Sequence, residues 1–121
     1  TFDRVTANVC RAKTLNTFRE LDPSRIIRII RFLHEVGQLT YQLNSSALDL
    51  STAELRGIDF RELAINTKKL SDLSVTGMFL SDAMFSGIEM DRINFARTQF
   101  DNVNFSSSRL SKVNFSSTKF Y

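Results

Sequence analysis

From Leu50 to Phe120 every fifth residue is a large apolar side chain: Leu50, Leu55, Phe60, Ile65, Leu70, Val75, Leu80, Phe85, Met90, Phe95, Phe100, Phe105, Leu110, Phe115 and Phe120. Neither a helix nor a strand has that period. With 42% of the residues apolar, such a run in any of the five registers arises by chance with a probability of roughly 10⁻⁵, so it marks an internal repeat. A second row two residues earlier (Leu48, Ala53, Ile58, Leu63 and onward) is apolar except at Lys68, Thr98, Ser108 and Thr118. The residue between the rows is mostly polar, and the two after each centre are almost throughout Ser, Thr, Asp, Asn, Arg, Lys or Gly. Each pentapeptide is therefore predicted to point two side chains inward and one outward, and then to turn.

Segments such as STAELRG, GIDFRE, SDAMFSG and RINFARTQFDNVNF resemble the A-(D/N)-L-x-x pattern of the pentapeptide-repeat family. That resemblance implies a mainly β fold, a right-handed quadrilateral β-helix with four pentapeptides per coil. It covers residues 48–121, about three and a half coils. Residues twenty apart would then stack, with Phe60, Leu80, Phe100 and Phe120 in one inward column and Ile65, Phe85 and Phe105 in another. A third column would hold Leu55, Val75, Phe95 and Phe115. Outside, Asp49, Lys69, Glu89 and Arg109 would form a charge ladder of alternating sign. Lys68, an ammonium at an inward site, makes residues 65–70 the expected place for a distortion.

Residues 1–47 change period and are read as an α-helical cap. Asp22 before Pro23 is an N-cap with proline at the first helical position, and Gly37 supplies the stop, so a helix is predicted over 23–36. Its apolar residues Ile26, Ile27, Ile29, Ile30, Phe32, Leu33 and Val36 span more than half the circumference. Such a face calls for two covers, the open end of the solenoid and a second helix over about 6–20. The polar stretch QLTYQLNSSA (38–47) then connects cap and solenoid. The segment RAKTLNTFRELDPSRIIRIIRFLHEVGQL, followed by LDLSTAELRGIDF, is similar to uncharacterised eukaryotic pentapeptide-repeat proteins that carry transmembrane helices upstream. That likeness implies a membrane-tethered domain whose anchor lies outside these residues. Here no apolar run reaches membrane-spanning length and no signal-peptide pattern occurs. A start at Thr1 and an end at Tyr121, just past a repeat centre, suggest a piece of a longer protein.

The net charge of +3 belongs to the cap, because residues 1–47 hold seven Arg or Lys against four Asp or Glu while residues 48–121 hold nine against nine. Some pentapeptide-repeat proteins imitate DNA and bind topoisomerases, a role that needs an acidic surface, and a neutral repeat argues against it. Cys10 and His34 are the only residues of their types. No disulfide can form within the chain, and a zinc cluster or Cys/His nucleophile lacks partners. No catalytic residue, metal or cofactor is expected, no nucleic acid either, and a reducing, intracellular setting is the default.

Two surface features stand out. Phe79 and Met84 occupy normally polar outward positions, either covered by neighbouring Arg or Lys stems or forming a surface for a protein partner or for self-association. Arg25, Arg28 and Arg31 on the cap helix form either a solvated face or a contact for an anionic surface such as lipid. Phe115, Phe120 and Tyr121 at the last coil offer a route to a homodimer. The function expected is a non-enzymatic scaffold or protein-interaction module, with a DNA-mimicking topoisomerase ligand as the alternative.

Overall fold

The structure, a computed structural model, describes residues 4–40 and 48–121. Two helices, α1 (Arg4–Glu20) and α2 (Pro23–Glu35), precede seven strands: β1 (Glu54–Arg56), β2 (Lys69–Ser74), β3 (Phe79–Ser81), β4 (Glu89–Asn94), β5 (Gln99–Asp101), β6 (Arg109–Asn114) and β7 (Lys119–Phe120). A 3-10 helix, Phe60–Ala64, separates β1 from β2. The boundary between cap and solenoid drawn at residue 47, with most of the 38–47 connection, lies outside the described residues.

Strands stack in parallel into a solenoid. One sheet runs β1-β3-β5-β7 and the other β2-β4-β6. A third line of pairing is reduced to the bridges Asp59–Met84 and Met84–Asn104. The six-residue strands bend in the middle, where Asp72, Arg92 and Lys112 take positive φ (57°, 61° and 55°). The same left-handed conformation returns every five residues, at Thr52, Gly57, Asp72, Gly77, Asp82, Gly87, Arg92, Arg97, Asn102, Ser107, Lys112 and Ser117. This turn is the physical content of the pentapeptide, since each one swings the chain through a corner before the next inward pair.

The series misses 62 and 67, and Lys68 takes φ 54° instead. Here the expected stacking is corrected. Glu54 pairs with Phe79 and Leu55 with Leu80, twenty-five residues on, whereas Lys69 pairs with Glu89 and Glu89 with Arg109, twenty residues on. The first coil thus holds one pentapeptide too many, taken up by the 3-10 helix and residues 65–68. Asp59 starts this detour, its carboxylate accepting from the backbone N–H of Arg61 and capping the 3-10 helix. Ile65, a repeat centre, is left 59% exposed, and Lys68 is exposed rather than buried. Desolvating the ammonium would cost far more than exposing one isoleucine, so the coil opens where the lysine falls.

The columns shift accordingly. Leu55, Leu80, Phe100 and Phe120 share one. Phe60 stacks on Phe85 at 4.5 Å and Phe85 on Phe105 at 5.0 Å, both with rings 9° apart. Phe95 stacks on Phe115 and meets Phe85 and Phe100 edge-on. Stacked and edge-to-face rings add to the burial of each phenylalanine, which is worth about 1.5–3 kcal/mol. The polar exceptions in the inward row are satisfied one coil back: the Thr98, Ser108 and Thr118 hydroxyls donate to the carbonyls of Val75, Phe85 and Phe95, each at 2.8 Å. Asp49 leaves the ladder and lies 3.6 Å from Arg11 of α1 instead. Lys69, Glu89 and Arg109 align without closing an ion pair within 4.0 Å.

The helix α2 lies across the first coil. Asp22 caps it by accepting from the Arg25 N–H at 2.9 Å, which holds its carboxyl below the ordinary value. Ile26, Ile27 and Ile30 are buried against the solenoid. At its far end His34 Nε2 lies 2.9 Å from the Ser71 carbonyl oxygen, and the Leu39 carbonyl accepts from Ser74 N–H. The second cover expected for this helix is not realised, because Phe32 and Val36 remain 61% and 51% exposed. The inward residues of α1, Leu15 and Phe18, are buried in a common core that includes Ala53, and a cleft beside them is also lined by Phe79.

Candidate functional site

α1 is tied to the first coil by one arginine. Arg11 Nη2 donates to the Ser51 carbonyl at 2.6 Å and to Thr52 Oγ1 at 3.1 Å, beside its ion pair with Asp49. Burial raises the Asp49 carboxyl, but the Ser51 N–H and hydroxyl and then Arg11 outweigh that and hold it below the ordinary value. The clamp places the second half of α1 beside β1 and β3. Between them lies a cleft of about 310 Å³ lined by Leu15, Phe18, Ala53 and Phe79, with polar atoms from Arg19, Thr52 and Glu54. Phe79 stands at the outward position of β3 between Glu54 and Gln99 of the neighbouring strands. It is 38% exposed, and apolar side chains line the space beside it.

Met84 lies on the bridge ladder between Asp59 and Asn104. Arg61 Nη2 approaches the Met84 sulfur at 3.7 Å while Nε and Nη2 hold Asp59 at 2.8 and 2.9 Å. Those side-chain hydrogen bonds keep the Asp59 carboxyl low. On the corner between Phe79 and Met84, Asp82 accepts from Asn102 Nδ2 at 2.8 Å and from Arg56 Nε at 3.1 Å. Asn102 first and Arg56 after it hold that carboxyl low as well. Phe79 and Met84 are thus separated by a polar cluster, and of the two only Phe79 lines the cleft beside α1, where Leu15, Phe18 and Ala53 are themselves buried and the open surface is mostly polar.

Arg28 and Arg31 line another cleft, of about 350 Å³, together with Pro23, Ser24, Ile27, Gly57, Asp59 and Glu62. Two carboxylates therefore share the space with two of the three cap arginines, while Arg25 stands outside it. His34 is spent on Ser71 and Cys10 is partly buried, and the two are not brought together in any metal-ligating group among the described residues.

Residues 79–116 match the family model for pentapeptide repeats, in 8 copies. The chain carries pentapeptide repeats. The matched span lies wholly beyond the detour, where coils follow at twenty residues. No curated protein and no solved structure matches the chain. No helix among the described residues is long and apolar enough to cross a membrane. The sequence singled out Phe79 and Met84 together, and of the two only Phe79 lines the cleft beside α1. The sequence did not point to Leu15, Phe18 or the Arg11 clamp as neighbours of Phe79, because nothing along the chain says which surface α1 would meet.

Proposed function

We propose that the pentapeptide repeats form a scaffold or protein-interaction module without catalytic chemistry, a right-handed, square-sectioned solenoid that presents the α1–β1–β3 cleft to a protein partner. The observation that carries this reading is the placement of Phe79. An aromatic ring, 38% exposed, stands at a normally polar outward position and lines a cleft of about 310 Å³ whose remaining open surface is mostly polar. Arg19 and Glu54 supply both charge signs at the same place, which suits the polar rim of an interface. Met84, screened by Arg61, contributes at the margin. Comparative affinity capture with wild type and a Phe79→Asp variant, whose fold is checked by circular dichroism, tests the reading. A partner retained equally by both proteins overturns it.

Anionic-surface contact through Arg25, Arg28 and Arg31 is the weaker part of the proposal, since Asp59 and Glu62 share their cleft. Tethering by an anchor outside these residues and an intracellular setting are proposed with it. Topoisomerase binding by DNA mimicry is disfavoured, because the solenoid carboxylates Asp59, Asp72 and Asp82 are each paired with an arginine at 2.8–3.1 Å. A supercoiling assay should show no inhibition.

A further inference from the structure

Among the described residues α2 is covered on one side only, with Ile29 and Leu33 partly packed on the core at its edges, and its open side is complementary to itself. At about 3.6 residues per turn, Phe32 falls opposite the buried stripe of Ile26, Ile27 and Ile30. Arg28 and Glu35, both exposed, lie on one flank of it, Arg28 one turn before and Glu35 almost one turn after. Ile29 and Val36 lie on the other flank in the same arrangement. Arg28 also borders the cleft that holds Asp59 and Glu62, but neither Arg28 nor Glu35 has an ion-pair partner within 4.0 Å among the described residues.

When two such helices cross antiparallel about a two-fold axis through Phe32, like flanks meet and their direction reverses. The two Phe32 rings then touch at the centre. Arg28 of each chain comes level with Glu35 of the other, twice over, and Val36 of each comes level with Ile29 of the other. We propose that this face of α2 is a homodimer contact, the occupant being a second copy of the same chain. An anionic membrane would use Arg25, Arg28 and Phe32 but would be repelled by Glu35. A second copy uses the acid, the base and the apolar flank together, and that charge complementarity decides for it. The contact is one helix face wide, so the dimer is weak and reversible.

Sedimentation equilibrium of the 121-residue chain over roughly 10 μM to 1 mM, the range in which so small a contact assembles, tests this. Wild type should dimerise, and Phe32→Asp should raise the dissociation constant about tenfold or more. Arg28→Glu and Glu35→Arg should each abolish self-association, since each sets like charges opposite one another. Neither change opposes the helix dipole, and circular dichroism should confirm that both variants keep their fold. Mixed together the two single variants should form a heterodimer, and the double swap should dimerise again. A monomeric wild type overturns the proposal, as does an undiminished dimer of Phe32→Asp, which would point to the C-terminal coil. Singles that fail to associate on mixing also overturn it. So does a wild type that stays monomeric while sedimenting with phosphatidylserine vesicles, which would hand the face to lipid.

Discussion

The first coil and the coils that follow obey the same five-residue pattern in sequence and differ in structure. From Lys69 onward coils follow at twenty residues, every centre from Leu70 to Phe100 is buried, and corners recur every five residues. Between Thr52 and Lys68 the row of apolar centres continues unbroken, yet the chain spends an extra pentapeptide, drops two corners and turns Ile65 out to solvent. A repeat of apolar residues therefore specifies what wants to be inside but not how many units close a coil. Closure is decided where an inward site holds a residue that cannot be buried, at Lys68, and where Asp59 offers the backbone a cap for a short helix instead of another corner.

The sharpest way to break this contrast is to treat two adjacent centres of the row alike. Leu70→Asp places a carboxylate in the core and should cost more than about 4 kcal/mol, whereas Ile65→Asp should stay within about 0.5 kcal/mol, both read from urea denaturation. Equal effects would mean that the detour does not exist in solution. Next in size, Phe95→Ala and Phe60→Ala should each cost about 3–5 kcal/mol, one in a regular coil and one at the start of the detour, because both rings are fully buried and stacked. A much smaller loss at Phe60 would show that the first coil is loosely packed throughout and not merely out of register.

Two glycine corners refine the comparison. A Cβ on Gly77 would lie 2.8 Å from the Ser51 side chain in the first coil, while one on Gly87 would meet nothing within 4 Å. Both have φ near +70°. Gly87→Ala should cost only the left-handed penalty, about 1–2 kcal/mol, and Gly77→Ala clearly more, as seen in thermal unfolding. The smallest effect concerns Asp49. Its carboxyl lies below the ordinary range in the folded state, so its stabilising share is present above the unfolded value near ~4 and is lost as pH falls through the folded one. For a pair this exposed the share is within ~1 kcal/mol. Asp49→Asn should flatten that part of the acid branch of the stability profile, and an unchanged branch would show that the Ser51 hydrogen bonds and the Arg11 ion pair add nothing through this carboxylate.

Much of the architecture was legible because burial acts position by position. The inward rows, the corners after each centre, the Asp22–Pro23 start and Gly37 stop of α2, and trouble near Lys68 each follow from the preferences of single residues or near neighbours. The columns of the first coil were not legible, since a shift of five residues leaves every side chain on its own face and only changes which one it stacks upon. The candidate site was half legible: Phe79 broke the outward rule, but Leu15 and Phe18 acquired meaning only once Arg11 fastened α1 to Ser51 and Thr52.

By itself, then, the sequence determined that this chain must wind into a repeating solenoid with helices at its first coil, because a five-residue alternation of apolar and turn-forming residues can be buried in no other way. Only the tertiary structure decided where the winding takes twenty-five residues rather than twenty, which wall α1 leans on, and that Phe32 faces outward. Those outcomes depend on competition between distant groups for the same space, and no local preference along the chain records who wins.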